Sequence, residues 1–221
     1  MPLFSAALRP LGLFASVTLL LFVVSQPLMA SASPRPEPAR EEQRSFAAWL
    51  ADFRREALKA GIQPRVLDAA LDDLRPDPSV ISADRSQPEF SRPIWDYLDG
   101  ALSLRRVAQA EYLLVKHATL LHRIEQHYGV DRQALVAIWG LESNFGHSQG
   151  NKSVIRSLAT LAHEGRRPEF AHQQLIAALQ ILQQGDISPR RMVGSWAGAM
   201  GHTQFIPTTY QRYAVDFDGD G

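Results

Sequence analysis

Cysteine is absent from the 221-residue chain. Its absence excludes disulfide bonds, zinc sites with thiolate ligands, a cysteine nucleophile and a lipid attached to an N-terminal cysteine. An excess of either charge is also missing, because 23 basic residues are balanced by 23 acidic ones. A balanced chain lacks the basic surface typical of nucleic-acid binding. The composition therefore predicts a globular protein with no nucleic-acid partner.

A hydrophobic run long enough to span a membrane is missing as well. The most apolar stretch, Leu11–Ser25, has 15 residues, fewer than the roughly 20 that a membrane helix needs. Arg9 precedes it and Ala30–Ala32 follows as an A-x-A cleavage pattern. Residues 1–32 are therefore expected to be a secretory signal peptide, with an uncleaved anchor as the alternative. A Pro-rich linker is predicted over residues 33–40, and a single domain over residues 41–221.

Strand patterns are missing too, because no segment alternates β-branched residues with polar ones. Helical periodicity runs through most of the chain, so the predicted fold class is all-α. Residues Ser79 to Pro93 are predicted to form a loop. Spacing and end signals predict helices over Phe46–Gly61, Pro64–Pro76, Pro93–Tyr97, Ser103–Gly129 (one long helix), Arg132–Ser143 (capped by Asp131), Ser153–His163, Pro168–Gln184, and from Ser188-Pro189 onward.

The most informative helix ends in a glutamate. Leu135, Ile138 and Trp139 fall at helical spacing, and Glu142 continues the same face. Withdrawal from water disfavours a charged carboxylate, and the negative end of the helix dipole acts in the same direction. Glu142 is therefore predicted to hold a proton and to serve as a general acid. The alternative is a glutamate at a helix end that reaches water or pairs with an arginine.

A second segment, Gly194–Tyr210, combines small residues, neutral hydrogen-bonding groups and aromatic rings. Its small residues allow close approach of backbone or ligand. Ser195, Gln204 and Tyr210 supply hydrogen-bonding groups, and Tyr210 also supplies an aromatic face. The mixture suits a neutral, polyhydroxylated ligand such as a sugar. Close packing of two helices and their cap is the alternative interpretation.

These two segments carry a family resemblance. Glu142–Gly146 resembles the Glu-Ser-x-x-Gly element of lysozyme-like lytic transglycosylases, and Ser195–Pro207 resembles the second signature of the lytic murein transglycosylase B family. The similarity continues through Gln87–Phe90 and Ser157–Leu161, and it covers essentially everything from Phe46 to Gly221. It implies a lysozyme-like (goose-type or lytic transglycosylase) helical catalytic domain.

The resemblance also implies an activity. Members cleave the β-1,4 bond between N-acetylmuramic acid and N-acetylglucosamine in peptidoglycan and leave a 1,6-anhydro ring. The chain is then expected to be a periplasmic enzyme whose partners are glycan strands, with no cofactor needed for catalysis. Glu142 matches the single general acid and base, and Ser195 matches the serine that orients the N-acetyl group. Gln204 matches a glycan-contacting glutamine, and Tyr97 a tyrosine near the acid.

The chain departs from the family pattern at two places. His202-Thr203 stands where some members have Tyr-Gly. The chain also stops at Gly221, so the catalytic domain is expected to be incomplete at its C-terminus. Asp216, Asp218 and Asp220 match the first positions of an EF-hand loop. They predict a partial metal site, with structural calcium in the full-length protein, or else a solvated acidic tail.

Two other functions stay open at the level of sequence. Gly146-His-Ser148-Gln-Gly150 matches the G-x-S-x-G motif of α/β-hydrolases, in which Ser148 would be the nucleophile. That motif requires a strand before it and a helix after it, whereas the preceding segment has helical periodicity. The second alternative is a peptidoglycan-binding module that has kept the fold without turnover.

Overall fold

The computed structural model describes residues 45–86 and 93–219. The predicted signal peptide (1–32) and linker (33–40) lie outside these residues, as do Gln87–Phe90 and the last two residues. The described part is all-α apart from two very short strands, which confirms the predicted class. None of its helices is both long enough and apolar enough to cross a bilayer.

The described elements follow one another along the chain as ten helices and one strand pair. The strands pair antiparallel, with Lys152 opposite Gly194 and Ser153 opposite Val193. The elements are α1 (Phe46–Lys59), α2 (Pro64–Leu71), α3 (Pro78–Ser86), α4 (Ile94–Ala101), α5 (Leu104–Lys116), α6 (Ala118–Tyr128), α7 (Arg132–Ser143), β1 (Lys152–Ser153), α8 (Val154–Glu164), α9 (Pro168–Gln184), β2 (Val193–Gly194) and α10 (Pro207–Tyr213).

The bounds predicted for α7 and α9 are confirmed, but α2 ends at Leu71 instead of Pro76, α4 ends at Ala101 instead of Tyr97, and three further predictions are wrong. The segment expected to be a loop contains α3, because Asp77 caps it by accepting from the Ser79 N–H at 3.0 Å and Pro78 begins it. The long helix expected up to Gly129 breaks into α5 and α6 at His117, whose φ of −105° is not helical. The segment at Ser188 forms a single turn that ends before Met192.

Three apolar clusters occur among the described residues, and a larger and a smaller one of them bear on the site. The larger one joins α1, α2, α8 and α9, and Leu158, Leu175 and Leu179 at its centre have at most 1% of their surface exposed. The smaller one consists of Leu113, Leu121, Val136 and Phe145, which come from α5, α6, α7 and the turn after α7. The break at His117 turns the chain, so that α5 and α6 both contribute to this cluster. The helix α7, which carries Glu142, packs on this cluster through Val136.

The N-terminus of α7 is fixed by two acids. Asp131 accepts from the Gln133 N–H at 2.6 Å, as predicted for its N-cap. Glu125 of α6 accepts from the Arg132 N–H at 3.1 Å and pairs with the Arg132 guanidinium at 2.7 Å. Those bonds, the backbone one foremost, lower the pKa of Glu125. They hold α6 and α7 in a fixed relation, and thereby orient the end of α7 that carries Glu142.

A polar contact joins the start of α3 to β1. The Asp77 carboxylate accepts from the Ser79 hydroxyl at 2.6 Å and from Lys152 Nζ at 3.0 Å, and its side chain is only 13% exposed. The Ser79 hydrogen bond, with Lys152 adding to it, lowers the pKa of Asp77 to about 2. A carboxyl whose pKa is lowered by folding stabilises the native state above its ordinary pKa and loses that effect as the pH falls.

Asp77 should therefore give the protein an acid-sensitive increment of stability. We expect it to contribute roughly 1 kcal/mol at neutral pH, after allowance for solvent screening, and to lose it between about pH 4 and pH 2. Asp77→Asn should lower the free energy of unfolding at pH 7 and flatten its decline toward pH 3, as measured by urea denaturation. Asp99→Asn, at an exposed carboxyl, is the control. If the free energy of unfolding declined equally toward pH 3 in the parent, Asp77→Asn and Asp99→Asn, the effect could not be assigned to Asp77.

Candidate active site

Glu142 lies in the last turn of α7 with its side chain exposed. The prediction that it is withdrawn from water is wrong. The buried stripe of α7 consists of Val136, Gly140 and Ser143, and at about 100° per residue Glu142 lies about 120° from its centre. Ile138 is exposed as well. Among the described residues no side chain pairs with the Glu142 carboxylate, so it is accessible to a ligand.

The turn that follows Glu142 has an unusual backbone. Asn144, Phe145 and Gly146 have φ values of +48°, +58° and +86°. Left-handed conformations cost a non-glycine residue on the order of 1 kcal/mol and concentrate at functional sites. The turn is held by bonds from the Asn144 N–H to Gly140 and from the Phe145 N–H to Trp139, at 3.1 and 3.2 Å. These bonds cap α7 and bring the chain back past Glu142.

The Phe145 ring is the packing anchor of this turn. It is 6% exposed and meets Trp139 edge to face, with centroids 5.7 Å apart. It also lies against the backbone of Gly140, where an added Cβ would stand 2.7 Å from Cζ of the ring. The helix therefore needs glycine at position 140 to admit the ring. The sequence shows the glycine, but only the folded chain shows what it accommodates.

We expect Gly140→Ala to lower the free energy of unfolding by about 1–3 kcal/mol, because overpacking outweighs the gain in helix propensity. Gly100→Ala is the matched control, since Gly100 is also helical and an added Cβ would meet nothing within 4 Å. That variant should be neutral or more stable by up to about 1 kcal/mol. Denaturation of both variants measures the difference. A Gly140→Ala protein as stable as its parent would refute this account of the turn.

Two side chains of α7 connect it to the segment Gly194–Tyr210. The Ser143 hydroxyl donates to the His202 carbonyl at 2.6 Å and accepts from the Gly146 N–H at 2.9 Å. The Trp139 Nε1–H donates to Nδ1 of the His202 ring at 3.0 Å. The two segments singled out in the sequence are therefore adjacent in the fold. Ser143 and Trp139 were not predicted to make this connection.

Ser195 sits in a tight turn in which its hydroxyl oxygen is already engaged. Its Oγ accepts from the backbone N–H of Ala197 at 3.3 Å and of Ala199 at 3.1 Å. A hydroxyl has two lone pairs and one hydrogen to donate. Both lone pairs are occupied, so the Ser195 O–H remains available as a donor. An added Cβ at Gly150 would clash with the Ser195 backbone nitrogen at 2.6 Å, which shows how closely the two loops pack.

The other predicted glycan-contacting residues have different surroundings. The Gln204 side chain donates its amide to the carbonyls of Gln149 and Gly201, at 3.2 and 3.0 Å, so its free group is the carbonyl oxygen. The Tyr210 hydroxyl donates to Asp186 at 3.0 Å, and burial together with that carboxylate raises the pKa of the phenol. Tyr97 is exposed on α4, and among the described residues nothing connects it to Glu142.

A cavity of about 680 Å³ opens along the segment Gly194–Tyr210. Its size is within the range of small-ligand sites. Leu135, His202, Thr203 and Tyr210 contribute to its mostly apolar wall, whereas Glu142 does not. Since Leu135 and Glu142 are two turns apart on the same side of α7, the cavity and the carboxyl flank the same helix.

The predicted metal site is only partly described. Asp216 accepts from the Gly219 N–H at 2.9 Å, and Asp218 is exposed nearby, whereas Asp220 lies outside the described residues. No cluster of three metal-binding side chains occurs within residues 45–86 and 93–219. The calcium loop therefore stays a prediction.

Ser148 does not have the surroundings that a hydrolase nucleophile needs. It follows α7 through the left-handed turn and precedes a two-residue strand, whereas a G-x-S-x-G nucleophile lies between a strand of a sheet and a helix. The only sheet in the described part is the pair β1–β2. The described structure therefore does not support the serine hydrolase alternative.

Comparison with known proteins identifies relatives of the chain. The family described as Transglycosylase SLT domain matches residues 45–221. The membrane-bound lytic murein transglycosylase B of Escherichia coli K12 is 40% identical over 102 residues, which are 46% of this chain and 28% of that protein.

Solved structures agree with this match. SltB3 from Pseudomonas aeruginosa, in complex with NAG-anhNAM-pentapeptide, is 60% identical with a TM-score of 0.77 and covers 80% of this chain. The lytic transglycosylase Slt35 of Escherichia coli, in complex with calcium, is 29% identical with a TM-score of 0.69 over 78% of this chain. The chain spans 47% of the SltB3 chain and 55% of the Slt35 chain, about half the length of each.

Proposed function

Because the chain belongs to the lytic murein transglycosylase B family of transglycosylase SLT domains, we propose that it cleaves the glycan strands of peptidoglycan without hydrolysis. The bond cleaved is the β-1,4 bond between N-acetylmuramic acid and N-acetylglucosamine. The relative SltB3 has been solved with a ligand that carries an anhydro-NAM unit, the kind of end that this reaction leaves. The accessible, unpaired Glu142 carboxylate is the observation that carries the proposal.

Glu142 acts first as an acid and then as a base. Its proton passes to the glycosidic oxygen as the bond from that oxygen to C1 breaks, which releases the next sugar. The acetamido carbonyl oxygen of the muramic acid bonds to the electron-poor C1. The C6 hydroxyl oxygen then attacks C1, displaces the carbonyl oxygen and gives its proton to the Glu142 carboxylate. No water is consumed, so one carboxyl does the work that hydrolytic glycosidases divide between two.

Ser195 acts on the acetamido group in this scheme. Its hydroxyl proton is the one group that the surrounding backbone leaves unused, and a carbonyl oxygen is its natural acceptor. A hydrogen bond of this kind holds the carbonyl oxygen near C1, where proximity supplies much of the rate. Gln204 and Tyr210 contact the glycan farther along the Gly194–Tyr210 segment. Tyr97 approaches it from α4.

The site of action in this proposal is the cell wall, reached by export into the periplasm. Peptidoglycan glycan strands are the partner. Calcium has no part in the chemistry. Asp216, Asp218 and Asp220 would hold it in a structural role, as the calcium complex of Slt35 suggests for a protein of this family. Asp216 already accepts a backbone N–H of its own loop, as the first ligand of such loops does.

A peptidoglycan-binding module without turnover is the competing function. Incubation of the chain with insoluble sacculi, followed by sedimentation, separates the two. We expect the protein to bind the pellet and to release soluble muropeptides into the supernatant. Binding to the pellet with no release of muropeptides at any protein concentration tested would support the binding module and reject the enzyme.

A further inference from the structure

His202 is held against α7 by a hydrogen bond from Trp139 that fixes which ring nitrogen carries the proton. The Trp139 indole N–H can only donate, and it points at Nδ1 of the His202 ring at 3.0 Å. The two ring planes are inclined by 25°, with their centroids 5.7 Å apart. In a neutral imidazole with Nδ1 as acceptor, the proton is on Nε2.

The ring is also restrained in position. The backbone carbonyl of His202 accepts from the Ser143 hydroxyl at 2.6 Å, which fixes the backbone that carries the ring. Gly146 lies against the ring, and a Cβ added there would come within 2.5 Å of Cε1. Rotation of the imidazole would therefore break the Trp139 bond or collide with the turn after α7. Trp139, Ser143 and Gly146, which lie on either side of Glu142 in sequence, thus restrain His202.

The Nε2–H has no partner among the described residues. The side chain is exposed, and His202 contributes to the wall of the 680 Å³ cavity beside Thr203. Trp139 precedes Glu142 by three residues, so both lie on the same side of α7. His202 therefore offers an unpaired donor in the wall of the cavity, and Trp139 holds it on the side of α7 that carries Glu142.

We propose that His202 is a specificity-determining residue whose Nε2–H donates to a neutral oxygen of the glycan strand, and that Trp139 is the positioning residue that keeps the proton on Nε2. The inference rests on the proposed cleavage of glycan strands. The role is binding, and His202 transfers no proton. The Nε2–H offers a hydrogen bond but no ion pair that would favour a carboxylate of the stem peptide, and we assign its acceptor to a hydroxyl or acetamido oxygen of the glycan.

Three variants of the intact chain separate these roles. His202→Asn retains a polar group near Nδ1 and loses the Nε2 donor, whereas His202→Gln restores a donor near the Nε2 position. Trp139→Phe retains an aromatic ring and removes the N–H. His147→Gln, at an exposed histidine of the turn after α7, is the matched control. Melting curves identify the variants that fold like the parent.

We expect His202→Asn to raise KM on glycan strands about tenfold with little change in kcat, as for one lost hydrogen bond. His202→Gln should come within about threefold of the parent, and Trp139→Phe should lie between them. Nitrogen-15 NMR of labelled histidine should show the Nε2–H form of His202 in the parent and a mixture of forms in Trp139→Phe. A parent ring protonated at Nδ1, or an unchanged KM in folded His202→Asn, would overturn the inference.

Two substrates decide which oxygen is bound. Sacculi stripped of their stem peptides by an amidase should show the same loss in His202→Asn as intact sacculi. A loss that occurs only with intact sacculi would assign the contact to the peptide and overturn the choice of a glycan oxygen. If the parent releases no muropeptides at all, the proposed cleavage fails. NMR titration with stripped glycan strands would then still support His202 if His202→Asn binds them more weakly, and overturn it if binding is equal.

Discussion

Glu142→Gln is expected to reduce the release of soluble muropeptides by about a thousandfold or more, because one carboxyl supplies both proton transfers. The amide has nearly the same shape and can neither give nor take a proton at neutral pH. Since the side chain is exposed and unpaired within the described residues, the melting temperature should not change. Sedimentation with sacculi should show that binding is retained.

Glu111→Gln provides the control for this variant. Glu111 is an exposed carboxyl on α5, so its amide should leave release, binding and melting temperature at the parent's values. A Glu142→Gln protein that is folded and retains more than about a tenth of the parent's rate would show that another group carries the acid chemistry.

Ser195→Ala is expected to lower kcat by about ten- to a hundredfold, because the acetamido carbonyl loses the donor that orients it toward C1. KM should change less than kcat, since the hydroxyl matters most when the carbonyl oxygen bonds to C1. The variant also removes the acceptor for the N–H groups of Ala197 and Ala199, so its melting temperature must be measured alongside.

Ser148→Ala is the matched serine control, and it should be fully active. A parent-like kcat in folded Ser195→Ala would remove Ser195 from the mechanism. A large loss in Ser148→Ala would instead reopen the hydrolase interpretation. A low kcat together with a much lower melting temperature would mean that Ser195 stabilises the loop and does not act on the substrate.

Helix ends with strong local signals could be predicted from the sequence. Asp131 marks the start of α7, and Pro168 and Gly185 mark the two ends of α9. The failures occurred where tertiary packing decides. The break at His117 has no glycine or proline to mark it, and it follows from burying Leu113 and Leu121 in one cluster. The helix α3 has a local start at Asp77 and Pro78, and it also buries Val80 against α8.

The candidate site could be predicted only in part. Glu142 was identified by its motif, whereas the physical argument for its burial was wrong, because apolar spacing on α7 did not distinguish the buried stripe from Ile138 on the exposed side. The positive φ of Phe145 is rare for an aromatic residue and carries no local sequence signal. The bond from Trp139 to His202 joins residues 63 positions apart, so only the folded chain shows it.

The mass of the cleaved ends tests the central claim most directly. Sacculi digested with the chain and analysed by mass spectrometry should yield muropeptides whose muramic acid is one water lighter than the hydrolysed form, as a 1,6-anhydro ring requires. The Glu142→Gln variant should yield almost none. Muropeptides with ordinary reducing ends as the main product would mean that water attacks C1, and would contradict the proposed mechanism.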